Sequence, residues 1–370
     1  MITTTHPRHS AVIGAAMTVL ALSLTLVFAA NGQENSIPPD LIGNEESIAR
    51  GVLSGNLIET NFRNHGELAR WNDAPWGVWP RGIGGRHIDG IGIMVSGQVP
   101  GERAAYPQFF GGLPDTTVNP VILTYRDAGK RLGPSGDIWG WLPLPGFNNP
   151  NRLDPITGQR TPTPALSSDR TSWPEFWPDR LNNPDDPGWA GEWNGFFGRG
   201  VFNADEEGYY VMDDFSDLEY QIDEDTGQPV SEEGVYYASS ADSSIGGLGL
   251  QNTVRIFQWA NVLAEDLMFI LYRVNNRGGF DHNRLFFSQV MDYGLGNEEG
   301  DENASFNPQE DVTFGWDQDG IGTRASGGTY ELGYTGFAFL ESPARATDGQ
   351  DNDEDGMTDE SRFSGPGSLI

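Results

Sequence analysis

The chain has 370 residues, 53 acidic against 22 basic, a formal net charge of −31, and no cysteine. Such a charge repels nucleic acid and anionic lipid. Without thiols there is no disulfide, no cysteine nucleophile and no N-terminal lipid attachment to cysteine.

Residues 1–29 read as a signal peptide. Arg8 is the only formal charge before Glu34, an apolar run follows from Ala11 to Ala30, and Val27 and Ala29 offer a small-residue cleavage site. The same run is long enough to span a bilayer, the alternative being a retained anchor; no later segment is apolar enough for membrane insertion. Export without disulfides suits a bacterial product, secreted to the cell surface, the periplasm or the medium. Lys130 is the only lysine, a composition that fits a saline habitat and a biased genome equally.

A polar leader covers residues 30–45. Glu45 to Leu53 is expected to form one short helix, ended by the turn Ser54-Gly55-Asn56. From there to about residue 345 the signals are those of strands. With 49 glycines and 24 prolines, turns are frequent and long helices are excluded. Strands are expected at Ile88–Val99, Val121–Tyr125 and Gly208–Phe215. Another is expected at Leu248–Trp259, with Leu248, Leu250, Val254 and Ile256 on one face. Leu267–Val274 is apolar except for Arg273, the pattern of a strand buried on both faces. The turn-rich NNRGGFDHN and a strand at Arg284–Asp292 follow, making a β-hairpin or a Greek-key corner. Asp311–Trp316 and Tyr330–Leu340 complete the set. Short strands without alternating helices predict an all-β fold, a β-sandwich of immunoglobulin-like or jelly-roll-like kind.

Residues 100–195 interrupt this pattern. Fifteen of the 24 prolines lie between Pro100 and Pro187, and nine of the 11 tryptophans between Trp71 and Trp193. That is too much proline for central strands and too many aromatics for disorder. The expectation is long ordered loops packed on the sheets. Their aromatics are either core fillers or, at Trp177, Trp189 and Trp193, rings that could stack on sugars.

Residues 346–370 form an acidic tail. Asp348 to Glu360 reads DGQDNDEDGMTDE, seven acids in thirteen residues. Asp351, Asp353 and Asp355 alternate, Gly356 allows a sharp turn, and Asp359 and Glu360 follow. Oxygens at positions 1, 3, 5 and 9, with the Met357 carbonyl at 7, are how a short loop wraps Ca²⁺. A helix–loop–helix calcium hand would need Glu where Arg362 stands. Weaker acidic clusters lie in Asp292–Glu302 and in Asp317-Gln318-Asp319-Gly320, which holds half of the same pattern.

Catalytic sets are sparse. His65, His87 and His282 are the histidines after the signal, in no metal-ligand spacing. Neither GxSxG nor GxxxxGK[ST] occurs. A pair of carboxylates suffices for glycoside hydrolysis; Glu192, among aromatics, and Glu265 with Asp266 are the weak candidates.

The tail resembles the thrombospondin type 3 repeat, whose acidic core is DNDxDGxxD. GWAGEWNGFFG, FNADEEGYYVMDD, QWANVLAEDLMFILYRVNN and GFAFLESP are together similar to a group of large, uncharacterised secreted bacterial proteins, a likeness that implies export but no activity. LMFILYRVNNRGG is also similar to bacterial immunoglobulin-like adhesion modules. The sequence thus points to an exported, calcium-associated protein that is structural or binds a surface polymer, glycan or protein. The alternative is a secreted carbohydrate-active or sugar-binding protein using the loops around Glu175, Trp177, Glu192 and Trp193.

Overall fold

The structure, a computed structural model, describes residues 42–82, 85–98, 121–125, 131–132, 138–178, 189–218, 238–239, 245–282, 284–297, 300–324, 327–340, 357–358 and 368–369. The expected signal and leader lie outside these residues, as does most of the acidic tail. Within them the chain is all-β and antiparallel, with three-residue 3₁₀ turns at Glu45–Ser47 and Arg170–Ser172.

Glu45 to Leu53 is not one helix. Asn44 caps the first 3₁₀ turn by accepting the Ser47 N–H at 3.0 Å, and strand β1 (Arg50–Leu53) follows, paired with β2 (Thr60–Arg63). A helix fails here because Gly51 and β-branched Val52 favour extended backbone. Gly51 also lies so close to the ring of Phe62 that a Cβ would stand 2.5 Å from it.

Three further strands join this hairpin. β3 (Gly90–Gln98) lies between β4 (Val121–Tyr125) and a strand formed by Arg284–Asp292. Leu68 bridges Phe62 and Ile91, exchanging backbone hydrogen bonds of 2.9 Å with Ile91. The second sheet begins with two short edge strands, β5 (Leu142–Pro143) and β6 (Ala165–Leu166). Both pair with β7 (Glu206–Asp213), which pairs in turn with β8 (Leu250–Gln258) and β8 with β9 (Met268–Asn276).

β7 is buried at all eight positions. Strand side chains alternate, and here each face has its own cover. Gly208, Tyr210 and Met212 turn toward the first sheet. Phe62 lies over Gly208 and 6.4 Å from the Tyr210 ring. Met212 meets Ile93 around Gly66. Glu207, Tyr209 and Val211 turn the other way, into a cluster with Leu144, Phe147, Trp173, Trp177, Trp189 and Trp193. The described parts of the Pro/Trp-rich region therefore form a layer over the outer face of the second sheet.

Leu248, Leu250, Val254 and Ile256 are all fully buried, as the alternation predicts. Two expectations are corrected. β9, expected to be buried on both faces, is half exposed along its length, because it pairs with β8 alone and forms the sheet edge. Of the two alternatives for the next segment, the hairpin is overturned: β9 does not pair with Arg284–Asp292, here β10, which pairs with β3 in the first sheet. The turn-rich segment between them crosses from one sheet to the other.

A third sheet comprises β11 (Glu302–Asn307), β12 (Val312–Asp317) and, after the small hairpin of β13 (Ile321–Thr323) with β14 (Thr329–Glu331), β15 (Thr335–Ala338). The single strand expected over Tyr330–Leu340 is thus split in two, with Gly333 between the halves against the ring of Trp79. No apolar side chain of the third sheet is fully buried; Phe314, Trp316 and Tyr334 instead group with ring centroids 5.7–6.1 Å apart.

Candidate metal centre

The third sheet brings two separate acidic clusters together. In the β11–β12 hairpin Glu302 stands opposite Asp317, so Asp301, just before β11, meets Asp317 and Asp319 at the open end. One ligand atom from each of the three lies within 4.8 Å of the others. The loop is shaped by Asp317, whose Oδ1 accepts the backbone N–H groups of Asp319 (3.1 Å), Gly320 (2.7 Å) and Ile321 (3.3 Å). The Asp319 side chain accepts Ile321 N–H at 2.9 Å, and the Gln318 N–H reaches the Asp301 carbonyl at 3.0 Å.

Asp317 is 4% exposed. Its Oδ2 is buried and has no hydrogen-bond partner among the described residues. A buried carboxylate oxygen without a donor or cation is costly. Burial, then the like charges of Asp317, Asp319 and Glu302, raises the Asp301 carboxyl above its usual range. Three hard oxygen donors are of the kind that would suit a cation such as Ca²⁺.

Of the residues expected as tail ligands, Met357 lies in a two-residue strand, Met357–Thr358, paired with Ser368–Leu369. Asp351, Asp353, Asp355, Asp359 and Glu360 lie outside the described residues.

The tryptophans expected as sugar platforms take the other reading. Trp177, Trp189 and Trp193 are 2%, 5% and 0% exposed, in the core under the loop layer. Trp177 donates through Nε1 to the Glu192 carbonyl at 2.9 Å, and Trp193 to the Glu207 carboxylate at 3.0 Å. A ring with no free face cannot stack on a ligand. The cause lies in β7, whose outward Tyr209 and Val211 need a cover that only large apolar groups supply.

Glu175 and Glu192 are exposed. Glu192 lines a cleft of about 320 Å³ with Ser168, Arg170, Trp173 and Phe202; neither Glu265 nor Asp266 borders it. Those two sit on the turn before β9. The Glu265 carbonyl accepts the Leu57 N–H at 2.9 Å, and Asp266 accepts the Trp79 indole N–H at 2.6 Å. Of the three weak catalytic candidates, only Glu192 lines this cleft.

Sequence reasoning missed a group of fully buried carboxylates. Glu207 accepts the Asn203 and Ala204 N–H groups besides Trp193. Asp213 accepts Gly43 N–H at 2.8 Å and Phe215 N–H at 3.3 Å. Asp214 accepts the Leu248 and Leu250 N–H groups, each at 2.7 Å. Burial pushes the Asp213 carboxyl up to about 7 against those bonds, and raises Asp214 well above the carboxylate range, helped by the charges of Asp213 and Asp217. These acids tie the ends of β7 and β8 to neighbouring backbone; their only sequence signal was carboxylates flanking an apolar strand.

Comparison with protein-family models, with curated proteins and with solved structures returned no match. No helix among the described residues is long and apolar enough to cross a membrane.

Proposed function

We propose that the chain is an exported, calcium-associated protein built on a β-sandwich, with a structural or surface-binding role. The observation that carries the reading is the buried, unpartnered Asp317 Oδ2 beside Asp301 and Asp319. The third sheet supports it from the energetic side. With no fully buried apolar side chain, that sheet gains little from hydrophobic burial. A divalent ion at its open end would link β11 to the segment between β12 and β13, and would cancel the repulsion of three carboxylates. The acidic tail, with its thrombospondin type 3-like spacing, offers a second site of the same chemistry. Net charge of −31 favours cations and uncharged polymers as partners over nucleic acid.

Calorimetric titration with Ca²⁺ tests the reading and separates the two sites. An Asp317→Asn, Asp319→Asn variant is expected to lose binding at the hairpin, while an Asp353→Ala, Asp355→Ala variant reports the tail. For a site of Kd about 10⁻⁴–10⁻³ M, 10 mM Ca²⁺ adds about 1.4–2.7 kcal/mol of stability. No calcium heat with the unaltered protein, or a heat that neither variant reduces, overturns it.

A further inference from the structure

A cleft beside Glu192 is lined by residues other than those of the candidate metal centre. Its floor is rigid. Trp173 and Trp193 are buried with ring centroids 5.5 Å apart, and the Trp173 indole N–H is held by the Leu166 carbonyl at 2.6 Å. Against this floor stands a ring that is not buried. Phe202 is 54% exposed, lies within 9° of parallel to Trp193 at 6.4 Å, and approaches Trp173 at the same distance. One face of Phe202 therefore rests on the core and the side chain remains open to solvent.

The rim is polar and carries both signs of charge. The Arg170 guanidinium lies 5.3 Å over the Trp173 ring and donates to the Gly191 carbonyl at 2.7 Å, a placement that fixes the head while leaving further N–H groups to donate. Glu192 is exposed next to that carbonyl. Neither Arg170 nor Glu192 forms an ion pair with a described residue. The Ser168 hydroxyl donates to Glu206 at 2.5 Å, which leaves its oxygen the acceptor role in the cleft it lines.

The set reads as a flat apolar wall edged by a fixed planar donor, a carboxylate acceptor and a hydroxyl acceptor, with no net charge. A ligand that matches it has an apolar face and a rim of hydroxyls that both give and take hydrogen bonds. We propose that this cleft binds a neutral hexose or pentose unit of a saccharide, one sugar face on Phe202 and vicinal hydroxyls shared between Arg170 and Glu192. Hydrolysis is not part of the proposal. It requires a second carboxyl facing the first across the bond, and the nearest others are committed: Glu206 to Ser54 N–H and Ser168, Glu207 to Trp193, Asn203 and Ala204.

The test titrates the purified protein with cellohexaose, xylohexaose and mannohexaose, and with a zwitterionic Gly-Glu dipeptide, by calorimetry and tryptophan fluorescence. Saturable binding of at least one hexasaccharide is expected, with no new reducing ends. Phe202→Ala should weaken it about tenfold, the loss of one stacked ring. Glu192→Ala should weaken it as well and keep the parent melting temperature, since its side chain is exposed; Phe202→Leu, which keeps apolar cover beside Trp193 but removes the ring, should weaken binding as Phe202→Ala does. Absence of binding by all three saccharides, unchanged affinity in Phe202→Ala, preference for the dipeptide, or release of reducing ends would each overturn the proposal.

Discussion

Asp213 makes the stability of this protein depend on pH in a direction opposite to that of a salt-bridged acid. Its carboxyl is fully buried and titrates near 7 in the fold, against 3.8 for an ordinary aspartate. Between those values the folded state holds a proton that the unfolded chain has released, so stability falls as pH rises. The contribution is whole below about pH 4 and is lost by about pH 7, and the interval corresponds to about 4 kcal/mol. Asp213→Asn removes the titration but turns an amide N–H₂ toward Gly43 or Phe215. One of those donors is left unmet, at a cost of about 1–3 kcal/mol. The variant should therefore be the less stable protein at pH 4 and the more stable at pH 8, the two stability curves crossing in between. Denaturant unfolding of both proteins in 0.5 M salt screens surface charges beyond about 4–5 Å, and the other buried acid, Asp214, is present in both. A wild-type swing of about 4 kcal/mol relative to the variant corresponds to about 6 °C in Tm for the unit Pro39–Ile370. Parallel curves from pH 4 to 8 would refute the placement of a buried, protonated Asp213.

Two further outcomes follow from packing. Trp193→Ala removes a ring that is 0% exposed and strips Glu207 of a donor, so it should cost about 3–5 kcal/mol or more, read as a lower urea midpoint with loss of near-ultraviolet dichroism. Gly51→Ala places a Cβ 2.5 Å from the Phe62 ring and should cost about 1–3 kcal/mol; Phe62→Leu in the same chain should return part of that loss, giving a non-additive double-mutant cycle. Full additivity there would mean the two residues do not touch.

Local pattern carried the strands well. Val121–Tyr125 and Arg284–Asp292 appear with the boundaries that their β-branched and apolar runs predict. The face holding Leu248, Leu250, Val254 and Ile256 is equally plain, because period-two alternation is a property of a few neighbouring residues. Pairing was not legible. NNRGGFDHN is the strongest turn signal in the chain, yet the strands on either side of it belong to different sheets, since the partner of β10 lies about 190 residues earlier. Burial of β7 was not legible, because the role of Glu206, Glu207, Asp213 and the adjoining Asp214 as acceptors for backbone N–H groups exists only after folding. The acidic cluster was visible as two fragments, one in Asp292–Glu302 and one in Asp317–Gly320, and only the Glu302–Asp317 register joins them. The tryptophans posed a choice between filler and platform that composition cannot make. Three-dimensional cover for Tyr209 and Val211 made it, and left the exposed ring at Phe202, a residue without a motif.

The double cover of β7 has a consequence for how this protein tolerates change. Strand β7 owns no outer surface; the described proline- and tryptophan-bearing segments are its exterior. A shortened relative lacking that layer would present Tyr209, Val211 and their neighbours as a bare oily stripe, and would have to hide it by self-association or fail to stay in solution. Loop trimming, a usual route to a sturdier protein, would here unmake the fold from the outside.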